Sequence, residues 1–451
     1  MLQPPAVTLE CKRTRPLSPT IGPLQKSMNN ANYTATATKS KIIGDIAAIG
    51  HDLAVSFSNL LARLPGAPQP AARLGEILKV DKALAVRLLA AVRQKDPLAT
   101  AHVIPGPDPL ARVVKAAGRK GVPADVLRPS NEAVAAFRTL IKVHGGDRSG
   151  LDAIIAASLP ATRLKFESVA KQSMYRGARQ LKGVAADVVV YTVFVHPSAD
   201  PGRHDLVNIE GFFGLRRVRP GADLKLGSRS EITAQTPDPC GPFTLDGLPA
   251  AEFEGVLLRS FCSSPQMKLA VHLRGNDAIY VLDWGESVGW SSACDVVMAE
   301  LRRRLLRRSR EPDDPRPKSG FLYPISLPSR VFVCDLILHK DVYPGLEPKL
   351  RILELGQLGC AEVNDRTRDL GVLDVVEYVE PLGWGISSFR AAEIPRYGEL
   401  LEHVCAKLSW NPGEFRGFRT RIEYPMFGSQ VQLAFDVPLR DASAPSPQPG
   451  Q

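Results

Sequence analysis

The chain changes its hydrophobic period at Val184. Upstream, apolar residues recur at three- and four-residue spacing, as in Ile46, Ile49, Leu53, Phe57, Leu60 and Leu64. That spacing lines one face of an α-helix. Downstream, residues 184–195 read VAADVVVYTVFV, β-branched and aromatic, with Asp187 the one charged residue. Such a run reads as a strand. A helical first part followed by a strand-rich remainder predicts an α+β protein. We expect an all-α N-terminal domain, then an α+β domain with a largely antiparallel sheet.

Punctuation residues divide the chain further. Pro65-Gly66 ends the first long helical pattern. Residues 69–90, QPAARLGEILKVDKALAVRLLA, read as a helix, a tight turn and a second helix. Asp96-Pro97 opens a short element and 102–106, HVIPG, reads as a turn. A capped helix over 107–121 stops at Gly121. Another over 131–146 is capped by Asn131 and stopped by Gly145-Gly146. Two more are expected near 149–158 and 162–182. After the first strand, strands are expected at 206–218, 252–262, 267–273, 278–284, 330–339, 349–355 and 372–379. One amphipathic helix is expected at 294–310, CDVVMAELRRRLLRRSR, with Glu300 pairing with Arg304 at i,i+4. A helix near 395–408 precedes a closing strand pair, 418–424 and 430–437, with Gly428 in its turn. The expected limits are a disordered tail at 1–40, a helical domain at 41–183, an α+β domain at 184–440 and a second tail at 441–451. Met28 is a second candidate start.

Composition excludes several classes. Hydrophobic residues make up 44% of the 451 and charged residues 23%, the balance of a globular protein with a sizeable core. Seven cysteines form no C-x-x-C pair, which argues against a zinc ribbon or a disulfide framework and for buried, reduced thiols. No apolar run reaches the ~18 residues of a membrane span, and the N-terminus lacks the apolar core of a signal peptide. The expectation is a cytoplasmic protein. The phosphate-loop, dinucleotide, nucleophile-elbow and zinc-protease motifs are all missing.

Charge is placed unevenly. Residues 1–150 hold 21 Lys and Arg against 10 Asp and Glu, and the remaining residues hold 36 against 37. The whole excess of +10 therefore lies in the first third. A cationic region attracts nucleic acid by releasing its counterions.

The hairpin at 69–90 sits in that region. Leu74 and Leu78 supply the inner face of its first helix, Gly75 the crossing, Val80 the turn, and Ala85 and Leu88 the inner face of the second. Asp81 is placed to cap the second helix. At Leu74, Gly75, Leu78, Val80, Ala85 and Leu88 the segment resembles the helix-turn-helix of bacterial regulators. It departs at Lys79, where that family's turn carries Gly, and on its outward face. That face offers Lys82, Ala83, Leu84, Val86 and Arg87 in place of the usual polar base readers. The longer stretch 70–220 is similar to bacterial proteins of unassigned function, through VDKALA (80–85), KDPLA (95–99), IPG (104–106), HGGDR (144–148) and FFGLRRVRP (212–220). That similarity implies a shared fold and a regulatory role, and no known chemistry.

These observations lead to a DNA-binding transcriptional regulator with a C-terminal sensing or oligomerisation domain. DNA would be contacted by Lys79, Lys82, Arg87 and Arg73, with Lys41, Arg93 and Lys95 adding to the field. A dimer would read two half-sites. No cofactor or metal is expected. Two other classes stay open. In one, the hairpin is structural and the protein is a scaffold for other proteins, with Leu84 and Val86 packed. In the other, an enzymatic site lies in the C-terminal domain near His196, His204 and Asp205. Trp284, Trp290, Trp384 and Trp410 are candidate pocket linings in the same domain.

Overall fold

The computed structural model describes residues 24–67, 70–230, 241–250, 253–264, 267–275, 277–355 and 359–440. They form two compact units, one ending at Glu167 and the other starting at Ser168. The fold is α+β, with helices first and then three sheets whose strands pair antiparallel with one exception.

The helical unit contains α1 (Leu24–Ala62), α2 (Ala71–Leu78), α3 (Lys82–Val92), α4 (Pro97–Val103), α5 (Pro107–Arg119), α6 (Ala124–Leu140), a π-turn (Ile141–Gly145), α7 (Arg148–Ala156) and the start of α8 (Pro160–Lys182). Its core is the apolar stripe of each helix, including Ile46, Leu53, Phe57 and Leu60 of α1 with Val113, Val134 and Phe137. A Cβ at Gly50 would stand 2.1 Å from the Pro97 carbonyl oxygen, so only glycine lets α1 cross α4 there. Two expectations change. The tail expected over 1–40 lies outside the described residues up to 23, and α1 covers it from Leu24 on. The helix expected to be capped by Asn131 begins at Ala124 and runs through Pro129. Burial of Ser130, Ala133, Val134 and Phe137 outweighs the hydrogen bond that proline removes.

The second unit is built on a six-stranded sheet in the order β10-β11-β8-β1-β2-β6. These strands are β10 (Glu380–Trp384), β11 (Phe415–Glu423), β8 (Ser329–His339), β1 (Val184–Pro197), β2 (Arg203–Arg217) and β6 (Cys294–Arg307). β1 and β8 run parallel, with Thr192 beside Asp335. Both faces are covered. On one, Val188, Val190, Ile209, Val297 and Ile337 meet Leu400, Leu401, Val404 and Cys405 of α9 (Tyr397–Leu408). On the other, Val189, Val193, Leu206, Met298 and Phe332 share a core with the two smaller sheets. Those are β7-β12-β9 (Lys318–Pro324, Ser429–Asp436, Lys349–Glu354) and β3-β5-β4 (Lys225–Ser230, Asp277–Leu282, Leu269–Arg274).

Several local expectations give way to this packing. The helix expected at 294–310 is strand β6. Its Met, Leu, Ala, Glu and Arg favour a helix in isolation, but the open edge of β2 supplies a hydrogen-bonding partner from Arg203↔Arg307 to Leu215↔Cys294. Glu300 consequently pairs with Arg302, two residues along the strand at 3.5 Å, and not with Arg304 one helical turn away. β6 ends the sheet, and its outer edge is met by short bridges, Phe243↔Leu301 and Leu257↔Met298. The strand expected at 252–262 forms two 3₁₀ turns, around Glu254 and Arg259. The one expected at 372–379 makes a single bridge to β9, Leu353↔Val372. β11 and β12 do not pair with each other. Gly428 turns the chain between them, but β11 lies in the large sheet and β12 in the β7-β12-β9 sheet. The domain limit expected at 183/184 moves into α8. Lys171 of that helix is ion-paired with Glu377 while nearly buried, which ties its second part to the sheets. The tail expected at 441–451 lies outside the described residues. Cys334 and Cys405 are buried and Cys262, Cys294 and Cys360 half-buried, all as free thiols; Cys11 and Cys240 are not described.

A buried ion pair joins α9 to the sheet. Arg419 forks onto Asp335 at 2.8 and 2.7 Å, the Tyr397 hydroxyl donates to Asp335 at 2.6 Å, and Thr192 lies 2.8 Å from that hydroxyl. Arg419→Met leaves the carboxylate alone in the core and is expected to cost about 3–5 kcal/mol, read as a lower denaturant midpoint. The double variant Asp335→Leu/Arg419→Met is expected to recover most of that loss.

Candidate nucleic-acid interface

The hairpin forms as α2, a three-residue turn and α3. Leu74, Gly75 and Leu78 are buried on α2, and Leu84, Ala85, Leu88 and Ala91 on α3. A Cβ at Gly75 would meet the Val80 carbonyl oxygen at 3.0 Å, so glycine permits the tight return. The Val80 N–H donates to the Gly75 carbonyl at 3.0 Å, and Val80 itself packs half-buried on the core. Asp81 caps α3 by accepting from the Leu84 N–H at 2.7 Å. Each role expected for these residues is met.

The turn explains the departure at Lys79. Its backbone is left-handed, with φ 51° and ψ 48°. That is the conformation for which glycine is suited, and a residue with a Cβ takes it at a cost of roughly 1–2 kcal/mol. The chain holds a lysine there all the same, with its side chain exposed.

The outward face of α3 also differs from the expected one. Leu84 does not belong to it, being only 6% exposed and part of the helical core. Helical geometry turns Leu84 inward beside Ala85 and Leu88. The solvent face is Lys82, Ala83, Val86 and Arg87, continued by exposed Arg93 and Lys95. Among the described residues none of Lys79, Lys82, Arg87, Arg93 and Lys95 takes part in an ion pair; Arg87 makes one long hydrogen bond, 3.5 Å, to the Val103 carbonyl. Arg73 pairs with Glu76 at 3.0 Å, but both side chains are more than half exposed. Such a pair is worth about 0–1 kcal/mol and gives way readily to a phosphate. Lys41 is exposed on α1. Three further cations on α5, Arg112, Lys115 and Arg119, with Lys120 just past its end, entered the sequence argument only through total charge, although the spacing of the three marks one helix face.

Of the groups named for an enzymatic site, His196 and Asp205 are cross-strand neighbours and His204 is turned to the other face. β1 and β2 place His196 opposite Asp205 and Pro197 opposite His204. Neighbours along a strand project to opposite faces, so His204 and Asp205 point apart. His196 stacks on Trp410, ring centres 4.5 Å apart, and meets His339 edge-on at 4.6 Å. His204 is buried on the other face against Tyr343, with neither ring nitrogen hydrogen-bonded among the described residues. Asp205 accepts from the Arg304 N–H at 2.8 Å, where β6 bulges with Arg304 at φ 54°. Among the described residues no group of three or more His, Cys, Asp or Glu is placed to hold a metal ion. The tryptophans are scattered: Trp284 is buried, Trp290 is 79% exposed under the Arg216 guanidinium, Trp384 is exposed, and Trp410 sits on His196. An open cleft of about 330 Å³ lies along β9, lined by Leu350, Ile352, Leu373 and Val375 with Arg351 and Glu377. None of the residues named for catalysis lines it. No described helix is long and apolar enough to cross a membrane.

Comparison with protein-family models, with curated proteins and with solved structures finds no match.

Two expectations follow from this geometry. Lys79→Gly relieves the left-handed strain and is expected to raise thermal stability, by up to about 1 kcal/mol after the entropy cost of glycine. Burial, with Arg308 nearby, lowers the His204 pKa to about 4. The unfolded chain therefore binds a proton near pH 6.5 that the folded chain refuses until about pH 4. Stability is expected to fall as pH drops through that window. His204→Phe is expected to flatten the fall by on the order of 2 kcal/mol, read from urea midpoints at pH 7 and pH 4.5.

Proposed function

We propose that the protein is a DNA-binding transcriptional regulator that meets DNA through α3. One observation carries the reading: exposed cations on α3 (Lys82, Arg87), in the turn before it (Lys79) and just past its end (Arg93, Lys95), none with an ion-pair partner among the described residues, around a helix whose other side is locked in the core. Phosphates satisfy such charges, and a helix held on one side by burial presents them in fixed register. The strained Lys79 supports the reading, because keeping a cation in a glycine position costs stability and is compensated by a bound anion. Arg73 adds a phosphate contact at the start of α2. Arg87 and Lys82 are the two side chains able to reach a guanine edge.

One such module makes few base contacts. Useful specificity requires a two-fold dimer reading half-sites ~34 Å apart, with the sheet unit serving for pairing or for sensing an effector.

The test is binding of the full chain to random-sequence duplex DNA over a salt series. Each neutralised phosphate contributes about −0.9 to the log–log slope. A slope of several units is expected, with binding lost in Lys82→Ala/Arg87→Ala at unchanged helicity. Wild-type affinity in that double variant contradicts the assignment.

A further inference from the structure

We propose that α5 forms a second, separate contact to the nucleic-acid phosphate backbone. The inference rests on the reading of the chain as a DNA binder but not on the role given to α3. α5 is sharply divided. Leu110, Val113, Val114 and Ala117 are buried on one side. Arg112, Lys115 and Arg119 are exposed on the other, and Lys120 follows at the helix end. Spacings of three and four residues set the first three one above another along a single stripe. None of the four takes part in an ion pair among the described residues. The one carboxylate on that stripe, Asp108, is engaged by Arg138 of α6 at 2.6 Å.

An unneutralised stripe of this kind is costly by itself. Like charges one turn apart repel, and each pair weakens the helix by a few tenths of a kcal/mol. The cations at the C-terminal end of α5 are favoured by the helix dipole, which accounts for Arg119 and Lys120 but not for Arg112. A polyanion accounts for all of them. From Arg112 to Arg119 the helix rises roughly 10 Å. That length spans about three phosphates of one strand, at ~3.4 Å of axis each. The stripe consists of arginine and lysine set along one strand's length of phosphates, so its contact is assigned to the backbone, where it positions the duplex. α2 packs against both α3 and α5, so the two basic helices flank one short helix within the same unit. A duplex engaged by α3 is then gripped a second time on its backbone.

The experiment uses the full chain and random-sequence duplex DNA from 50 to 300 mM salt. Three proteins are compared: wild type, Arg112→Gln/Lys115→Gln/Arg119→Gln/Lys120→Gln, and Lys82→Ala/Arg87→Ala. Glutamine keeps helix propensity, and helicity is checked by circular dichroism. The inference expects the quadruple variant to bind more weakly, with a slope reduced by about 3. The single variants Lys115→Gln and Arg119→Gln, which leave the fold least disturbed, are expected to lose about 1 each. A wild-type slope in the quadruple and both single variants, with binding lost in Lys82→Ala/Arg87→Ala, overturns the α5 contact and leaves the α3 reading standing. Wild-type binding in Lys82→Ala/Arg87→Ala with loss in the quadruple variant does the reverse. No binding of the wild type at 50 mM salt overturns both.

Discussion

The carboxylate of Asp335 has no exposure to solvent, and the layout of the sheet unit follows from the need to neutralise it. It lies on β8, beside Thr192 of the parallel strand β1 and opposite Arg419 of β11. A charge in that position is tolerable only with a forked guanidinium and further hydrogen bonds to its lone pairs. Arg419 supplies the first and Tyr397 the second. Tyr397 begins α9, so the same network fixes where the helix lands. Leu400, Leu401, Val404 and Cys405 can then cover one face of the sheet. The other face is left to the two small sheets. Burial on both sides explains why β1 reads as a nearly continuous apolar run and not as a polar–apolar alternation.

The helical unit obeys a different constraint. Its core lies between helices, and each helix gives up one stripe to it. α3 gives Leu84, Ala85, Leu88 and Ala91. Whatever remains must face water or a partner. On α5 the remainder is dominated by arginine and lysine; on α3 it is Lys82 and Arg87 with Ala83 and Val86 between them. A solubility device has no need of register, yet Arg112, Lys115 and Arg119 are set at helical spacing on a helix pinned by burial. Lys79 makes the same point through backbone strain, since the fold by itself favours glycine there. Electrostatics of this kind contributes affinity and orientation. On the proposed reading, sequence readout rests on few side chains and a dimer supplies specificity.

Much of this was legible in the amino-acid order. The change of period at Val184 gave the class, and Leu74, Gly75, Leu78, Val80, Asp81, Ala85 and Leu88 take the places that the hairpin pattern assigns them. Local signals failed where tertiary context overrides them. Residues 294–307 carry helix formers but complete an open sheet edge. Residues 372–379 are rich in valine yet make one bridge to β9, Leu353↔Val372. Phe418 and Val431 lie in consecutive strands joined by a glycine turn and still belong to different sheets, a choice made by packing that no window of sequence contains. For the candidate interface, charge was visible and direction was not. Leu84 counted as outward until the helix was seated against α1 and α4. His204 and Asp205 are sequence neighbours whose strand sends them to opposite faces.

The most direct test places a photo-crosslinking side chain at Val86, half exposed in the middle of the α3 solvent face, in the full chain bound to duplex DNA. A covalent adduct between the introduced side chain at position 86 and the DNA is expected on irradiation. A complex that forms and yields no adduct at position 86 would contradict the α3 reading, because α3 would then lie away from the duplex.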